Sequence, residues 1–403
     1  MLKTKVKPKS VLLYLFVFSL IYQSGSVRAA LLGDGILFQI TRALLLLIPI
    51  IIIARRGIDK KLIILLFIFL TLGIIFACIN FILFSEGVLQ LSYKIIILTL
   101  SMGFYLTLLK EKIDINFYIY KIIIVIASIG LLFYFCTDLL KLPIPYSVVY
   151  SGNSYRYHNY FELYFSYHYN QTVPRLSGLF WEPGAYQIYL NTALFFYVFE
   201  NKDNKIEFAI LLISILFCQS TMGYCIATLL LAIYFSQVET FKRKDKTIIG
   251  CIGLVIALVV GILILYRKVQ ATIGYDEGSA ALRFADISNG LNVFYNHPII
   301  GTGFGNEREF IVLDKFGRGS SNGLLSYAYM TGLIGLFFAF FPFLRNLFCK
   351  NKKRQIVWIV FVILINSSEP IYNLPIMSFY LGVEYAKMLK KRSYNRRMNV
   401  NVK

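Results

Sequence analysis

Long apolar blocks separated by short polar breaks make up most of the 403-residue chain. Most blocks are close to the length that an α-helix needs to cross the hydrocarbon core of a bilayer, about 20 residues. The pattern predicts an all-α integral membrane protein with about 12 transmembrane helices and a single polytopic membrane domain over residues 1–403. The predicted helices lie near residues 11–27, 36–54, 62–84, 91–109, 117–138, 185–200, 206–220, 222–238, 248–266, 323–345, 355–367 and 371–388.

The basic residues give this membrane protein an orientation. The net charge is +20, but these residues gather at the ends of apolar blocks and form no basic soluble domain, so we expect no nucleic-acid partner. Lysine and arginine are enriched in the cytoplasmic loops of membrane proteins. An even number of spans with both termini cytoplasmic satisfies this rule, and we expect a multi-pass protein of the cytoplasmic (inner) membrane in contact with the lipid bilayer.

Neither a metal nor a redox cofactor has support in the sequence. The six cysteines lie within apolar blocks or at their ends without paired spacing in a loop, and the three histidines are scattered along the chain. A disulfide framework or a zinc site requires closely spaced ligands. We therefore expect no metal site and no cofactor.

Two segments, residues 139–180 and 267–321, are the long loops of this topology, and both fall on the outer face. A long loop in a compact protein is usually functional. Chemistry is therefore expected at the outer, or periplasmic, face of the membrane.

The outer-face loop 139–180 is rich in tyrosine, including Tyr157 and Tyr160, with Arg156 among them. Aromatic faces with interleaved hydrogen-bonding groups suit sugar rings, so these three residues are candidates for substrate binding. Tyrosine is also enriched at membrane interfaces in general. Both interpretations are open at the level of sequence.

The outer-face loop 267–321 contains a predicted helix on the membrane surface. Phe284, Ile287, Leu291 and Phe294 recur at helical spacing, so this stripe could face the lipid. The glycine-rich turn Gly301–Gly305 follows. Its backbone N–H groups could approach an anion, although such turns are more often structural.

Arginines occur in both outer loops, where a topology signal alone would deplete them. Arginine is the planar, permanently charged group suited to phosphate. Pairing with nearby acidic residues is the structural alternative. Arg175 and Arg283 are the two strongest candidates, and the full set is Arg156, Arg175, Arg283, Arg308 and Arg318. Two further cations, Arg42 and Lys94, lie within apolar blocks, and we expect both to snorkel to the interface.

The segment around Glu182-Pro183-Gly184 predicts a helix start at the membrane surface, because proline fits the first turn of a helix. Arg175 and Glu182 then lie just outside the lipid. Glu182 is a candidate base or orienting group, with a salt bridge to Arg175 as its alternative role. Glu369 is a second carboxylate expected at the outer face.

Four motifs in order resemble the O-antigen polymerase and ligase superfamily, and within it the Wzy-type O-antigen polymerases. Each motif alone is weak, and the likeness extends over roughly residues 170 to 345. The motifs are Arg175-x-Ser-Gly-x-Phe-x-Glu182-Pro-Gly, Gln219-Ser-Thr-Met-Gly223, Arg283 with His297-Pro-Ile-Ile-Gly301-x-Gly-x-Gly305, and Ser321-Asn322-Gly-Leu-Leu325 with Gly332-x-x-Gly335.

The resemblance implies a multi-span, metal-independent glycosyltransferase with a GT-C-like architecture. Its substrates are undecaprenyl-diphosphate-linked glycans, as donor and as acceptor, and a separate chain-length co-polymerase is an implied partner. Arg175 and Arg283 match the family's essential arginines and would bind the diphosphate, with Asn322 in the last motif as a further binding candidate.

One departure separates two activities within this superfamily. Ligases typically carry histidine immediately before the asparagine of the last motif, where this chain has Ser321. The departure favours a polymerase of repeat units for O-antigen, capsule or exopolysaccharide. An O-antigen ligase acting on lipid A core is the alternative, and a lipid-linked oligosaccharide flippase or other transporter is the second. A transporter should show a repeat between its halves and ionisable residues at mid-membrane, and neither is clear in this sequence.

Overall fold

The computed structural model describes residues 8–31, 35–57, 59–150, 156–168, 174–200, 203–237, 279–315, 317–347 and 352–400. These residues are mostly helical. The helices are α1 (Pro8–Gly25), α2 (Val27–Leu31), α3 (Ile36–Arg56), α4 (Lys60–Phe84), α5 (Val88–Lys110), α6 (Ile115–Phe133), α7 (Pro183–Phe199), α8 (Lys205–Cys218), α9 (Thr221–Gln237), α10 (Ser279–Asn296), α11 (Arg308–Leu313), α12 (Gly323–Asn346), α13 (Lys352–Ser368) and α14 (Pro375–Val400). A π-helical turn, Tyr134–Leu139, extends α6, and a 3-10 turn, Ile371–Asn373, precedes α14.

Each predicted apolar block that falls on described residues coincides with a helix, and the block at 248–266 lies outside them. Within the described part of the chain, five helices are long and apolar enough to cross a membrane. The prediction of a mostly helical membrane protein is confirmed in this form. The five are Ile36–Arg56, Lys60–Phe84, Val88–Lys110, Ile115–Leu139 and Gly323–Asn346.

Helix α4 shows why these segments require an apolar surrounding. Only 6% of its most apolar window is buried by protein, and large side chains such as Phe67, Leu72 and Ile82 are well exposed. A soluble protein rarely exposes so continuous an apolar surface. Lipid is the surrounding in which this helix is stable.

The chain divides into two compact units, each assembled from separated stretches of sequence. The first comprises Met1–Arg42 and Asn116–Ala280, and the second comprises Ala43–Ile115 and Ala281–Lys403. The sequence predicted a single membrane domain over 1–403. Hydropathy finds spans but gives no information about which spans pack together, and the single membrane domain stays a prediction.

Helix α7 forms the centre of the first unit. Every residue from Ala185 to Val198 is buried, and α8 and α9 pack against it. A helix that is apolar on all sides is stable only when other elements surround it. The segment that follows Arg175 is therefore joined to the most buried helix of this unit.

A three-stranded antiparallel sheet lies in the predicted outer loop of the first unit, in the order β1 (Ser147–Tyr150), β2 (Arg156–Tyr160) and β3 (Tyr164–His168). No strand was expected in this tyrosine-rich loop. Its signal was the density of tyrosine, which favours strands as well as interfaces. Two side chains join the sheet to the π-helical turn: Tyr164 and Ser166 both donate to Asp138.

In the second unit, α5 packs most extensively against α14 and also against α4. Helix α12 packs on α13 and α14 and is broken at Gly332, where φ is 61° and ψ is −166°. The break leaves backbone groups of α12 without helical partners. The chain from Pro298 to Gly303 bonds to them: Leu333 N donates to Pro298 O at 2.8 Å, and Gly303 N donates to Met330 O at 3.1 Å.

The glycine-rich turn therefore has a structural role. Thr302 N and Gly303 N both donate to carbonyls of α12, at 2.9 and 3.1 Å, so these N–H groups are not available to an anion. Irregular backbone at membrane depth is tolerated where protein buries it and satisfies its hydrogen bonds. The glycine-rich turn supplies hydrogen-bond partners to the broken backbone of α12, and α12 supplies them to the turn.

An apolar cavity of about 430 Å³ lies within the second unit, between α4, α5 and α12. Its charged group is the ammonium of Lys94, which is 7% exposed. The ammonium donates to Tyr372 O at 2.8 Å and lies over the rings of Tyr372 and Tyr327, at 4.5 and 4.6 Å from their centroids. The predicted snorkelling of Lys94 is therefore wrong, because a carbonyl and aromatic faces stabilise its charge inside the protein.

Candidate functional site

Arg175 lies at the C-terminal end of α8 in the first unit. Its Nε donates to Cys218 O at 3.2 Å and its Nη2 donates to Gln219 O at 3.1 Å. Carbonyls at a helix C-terminus have no helical partner and carry partial negative charge, so a guanidinium is stabilised there. Two of the four motifs, the one that begins at Arg175 and the one that begins at Gln219, are thus in direct contact.

The backbone around Arg175 is fixed on two sides. Phe165 N of β3 donates to Gly178 O at 2.7 Å, and Ser177 Oγ donates back to Phe165 O at 2.8 Å. On the other side, Val27 N donates to Leu179 O at 3.1 Å. The segment between Arg175 and Glu182, which turns at Gly178, is therefore held by hydrogen bonds to β3 on one side and to Val27 on the other.

Glu182 precedes α7 in an extended conformation, and Pro183 occupies the first turn, which agrees with the predicted helix start. The indole Nε1 of Trp181 donates to Glu182 Oε1 at 3.1 Å. Within the described part of the chain, Glu182 and Arg175 form no salt bridge. Glu182 is half-buried, and its second oxygen has no hydrogen-bond partner among the described residues.

Arg283 lies on α10 in the second unit, and it too bonds to the end of a helix. Its Nη1 donates to Ser368 O, the last residue of α13, at 2.9 Å. Its Nη2 lies 3.7 Å from Glu369 Oε1, and its side chain is 46% exposed. Arg283 thus has an acidic partner, which was the structural alternative for the outer-loop arginines, and this partner is Glu369, the second candidate carboxylate.

A chain of contacts joins Arg283 to the Ser321–Gly323 motif. Asp286, one turn along α10, accepts from Ser321 N at 2.9 Å and from Ser321 Oγ. A side chain at Gly323 would meet Glu369 O and the Cα of Pro370 at 2.5 Å, so glycine permits this close approach. The contacts therefore run from α10 to the end of α13, to the start of α12, and back to α10.

The other candidates of the second unit have local partners. Asn322 caps α12, since its Oδ1 accepts from Leu325 N at 3.1 Å. Arg318 pairs with Asp314 at 3.2 Å, and the exposed Arg308 pairs with Glu86. Arg308 and Arg318 therefore have the alternative, structural role of pairing with an acidic residue.

The candidates in the sheet divide by exposure. Arg156 is exposed and has no acceptor among the described residues. Tyr157 is 3% exposed, packs with Phe165 and Trp181, and donates to Trp181 O at 2.9 Å. Tyr160 is 6% exposed. The Tyr160 ring packs against the rings of Phe133, Tyr146 and Tyr164, whereas Tyr157 belongs to the core cluster. Burial by different neighbours thus leaves neither tyrosine ring open to a sugar.

Helix α10 has the predicted apolar stripe on its exposed side. Phe284, Ile287 and Leu291 are 71%, 40% and 38% exposed, while Phe294 is half-buried. The opposite side carries Asp286, which is 1% exposed. The contact of Asp286 with Ser321, 35 positions away, has no signal in the sequence.

Glu307 is a second carboxylate near the start of α12, and Ser326 Oγ donates to it at 3.2 Å. Burial raises the pKa of Glu307, against a smaller lowering by the Ser326 hydrogen bond. A carboxyl whose pKa is raised on folding stabilises the fold below its unfolded pKa, about 4.3. That contribution is lost as the pH rises through the folded-state pKa.

We therefore expect Glu307→Gln to stabilise the protein at neutral and alkaline pH and not in acid. The expected rise in the midpoint of thermal unfolding near pH 8 is on the order of 1–3 °C. Unfolding scans of the detergent-solubilised protein near pH 8 and near pH 4 measure it. An equal difference at both pH values would contradict the argument.

The fold and these contacts define a multi-pass membrane protein in which each unit holds an arginine on the terminal carbonyls of a helix. The family model described as O-antigen ligase matches residues 208–340. This match is consistent with the O-antigen polymerase and ligase superfamily and confirms the resemblance at that level. It includes Arg283 and Ser321–Gly323 but not Arg175 or Glu182. The family suggests a glycosyltransferase-type or ligase-type enzyme. No curated protein matches the chain.

Proposed function

We propose that the protein polymerises undecaprenyl-diphosphate-linked oligosaccharide repeat units and releases undecaprenyl diphosphate. The reaction takes place at the outer face of the cytoplasmic membrane, in a twelve-span, GT-C-like protein with both termini cytoplasmic. The product is O-antigen, capsule or exopolysaccharide. The family match supports this class of reaction, and the arginine geometry supports the class of substrate.

The placement of the two arginines carries the proposal. An arginine has five N–H donors in a fixed plane. Arg175 uses two of them on carbonyls, and Arg283 uses one on a carbonyl and directs another group at Glu369. The carbonyls fix each plane, and the remaining donors of each have no acceptor among the described residues. A lipid diphosphate offers the oxygens that such a group binds.

The chemistry follows from that placement. A hydroxyl of the incoming repeat unit attacks the anomeric carbon of the growing chain, the bond from that carbon to the diphosphate oxygen breaks, and the diphosphate leaves with the electron pair. Negative charge grows on the leaving group. Fixed cations stabilise this charge without reorganising during the reaction, which lowers the barrier.

The other candidate residues take supporting roles in this proposal. Glu182, fixed by Trp181, orients the acceptor hydroxyl. Arg156, exposed on β2, binds the glycan or its phosphate. Arg308 and Arg318 hold their segments through ion pairs, and Asn322 holds the start of α12. The exposed ring of Tyr146, which stacks on His158 with centroids 4.0 Å apart, is a better stacking surface than Tyr157 or Tyr160.

The assay uses the purified protein in nanodiscs with the undecaprenyl-diphosphate-linked repeat unit, with and without a metal chelator, and resolves the glycolipids on a gel. We expect a ladder with repeat-unit spacing in both samples. The description of the matching family favours one rival, an O-antigen ligase. Its signature would be no ladder, and a modified lipid A core when that acceptor is added.

A further inference from the structure

The buried carboxylate of Asp286 and the half-buried hydroxyl of Ser321 lie close to Arg283, and no role above uses this pair. Asp286 lies three residues after Arg283 on α10, so the two side chains are neighbours on one helix, about 5–6 Å apart at Cβ. Asp286 is 1% exposed, whereas Ser321 is half-buried and reaches the surface. The serine hydroxyl thus connects the surface to the buried carboxylate.

The hydrogen bonds of this pair are directional. Ser321 donates its hydroxyl proton to Asp286 Oδ2, which also accepts from Ser321 N. The hydroxyl oxygen keeps its lone pairs and can accept a further proton from outside. The other carboxylate oxygen, Oδ1, is buried without a hydrogen-bond partner in the described part of the chain. An unpartnered buried oxygen is costly for stability alone, which points to a use in function.

We propose that Ser321 and Asp286 remove the proton of the acceptor hydroxyl in the transfer reaction, an inference that rests on the proposed function. The acceptor oxygen forms its bond to the anomeric carbon, and its proton passes to Ser321 Oγ. Ser321 passes its own proton to Asp286 Oδ2, and the diphosphate leaves with the electron pair of the broken bond. Ser321 is the catalytic residue that touches the acceptor, and Asp286 acts through it.

This geometry assigns separate tasks to neighbouring groups of the second unit. Arg283 faces the negative charge of the leaving group, and the serine relay takes the positive charge released by the attacking hydroxyl. General base assistance of this kind contributes typically about 10²- to 10⁴-fold to a rate. Arg283 and Asp286 both lie on α10, so a single helix sets the spacing between these two side chains.

The decisive variant is Asp286→Asn. Asparagine keeps an acceptor oxygen for Ser321 N and Ser321 Oγ, so a purely structural role predicts a nearly normal rate. An amide cannot take the proton, so the relay predicts a loss of kcat of roughly 100-fold or more, with KM for the lipid-linked substrate within about 3-fold of wild type. Ser321→Ala should show the same loss, and Ser321→Thr, which keeps the hydroxyl, should recover most of the rate.

Glu307→Gln is the matched control, because Glu307 is also a mostly buried carboxylate that accepts from a serine, Ser326, near the start of α12. We expect its rate to stay within about 2-fold of wild type. All variants are compared at equal amounts of monodisperse protein in the nanodisc assay.

The outcomes separate this inference from the proposed function. A wild-type ladder together with a full rate for Asp286→Asn overturns the relay and leaves the polymerase standing. A loss in Glu307→Gln as large as in Asp286→Asn also overturns it, because the effect would then follow any change of a buried carboxylate here. A wild-type protein that transfers glycan to no acceptor overturns both.

Discussion

Replacement of Arg283 by alanine is expected to lower the rate of repeat-unit transfer by about 100-fold or more, with the protein still present in the membrane. The side chain of Arg283 is 46% exposed, so its removal leaves no buried cavity. What is lost is a fixed cation, held on Ser368 O, that faces the growing charge of the leaving group. Gel analysis of glycolipids measures the rate, and an immunoblot of the membrane fraction measures the amount of protein.

Arg175→Ala should give a similar loss of transfer, but it also leaves the carbonyls of Cys218 and Gln219 without their donor. Lysine is therefore the more informative substitution at this position. It keeps the charge and reaches one carbonyl, but it loses the planar group that binds two oxygens at once. We expect Arg175→Lys to keep the protein level and to lose roughly 10-fold in rate.

Arg345→Ala is the control for both arginines. Arg345 is exposed in the last turn of α12, 22 residues after Gly323 and beyond the break at Gly332. We expect it to transfer at the wild-type rate. Normal polymer from Arg283→Ala and Arg175→Ala, at normal protein levels, would remove the arginines from the site.

The sequence predicted the helices well because a membrane span is a local property. Each block near 36–54, 62–84 or 91–109 contains its own signal, a run of apolar residues with charges at its ends, and a helix is present at each. The start of α7 at Pro183 is equally local, since it depends on the backbone of proline alone. Arg175 and Arg283 could be singled out as candidates in a similar way, because arginine is unusual in an outer loop.

Contacts between distant segments could not be predicted. Lys94 was expected at the interface, but Tyr372, 278 positions away, supplies its carbonyl. Tyr157 was a candidate for sugar binding, but the alternation of β2 turns its ring into the core formed with Phe165 and Trp181. In each case the role of the side chain depends on the residue that it contacts, and no nearby feature of the sequence identifies that residue.

The candidate site follows the same division. The charged residues of the site can be recognised in the sequence by their type, whereas the contacts that fix them cannot. Arg175 bonds to Gln219, 44 positions away, and Arg283 bonds to Ser368, 85 positions away. Gln219 belongs to one of the sequence motifs, whereas Ser368 belongs to none. In the structure, the end of a helix holds each guanidinium.

Substitution of Gly332 by alanine is expected to prevent the second unit from folding. An added Cβ would lie 2.3 Å from Ile299 O, which belongs to backbone that bonds to the break in α12, so neither side can move independently. The backbone angles are also accessible essentially to glycine alone. Clash and backbone strain together should cost about 4 kcal/mol or more. The yield of monodisperse protein after extraction in mild detergent measures the loss.

Gly57→Ala separates these two contributions. Gly57 also has a positive φ, 62°, but an added Cβ there has nothing within 4 Å. The backbone penalty alone is roughly 1–2 kcal/mol, so we expect Gly57→Ala to extract nearly as well as wild type. The same clash argument applies to Gly301, whose Cβ would lie 2.4 Å from the carbonyl carbon of Met330. If Gly332→Ala and Gly301→Ala extract as well as Gly57→Ala, the close packing of the broken helix on the glycine-rich turn is not required for folding. The Asp286–Ser321 contact would then be the one that holds the start of α12.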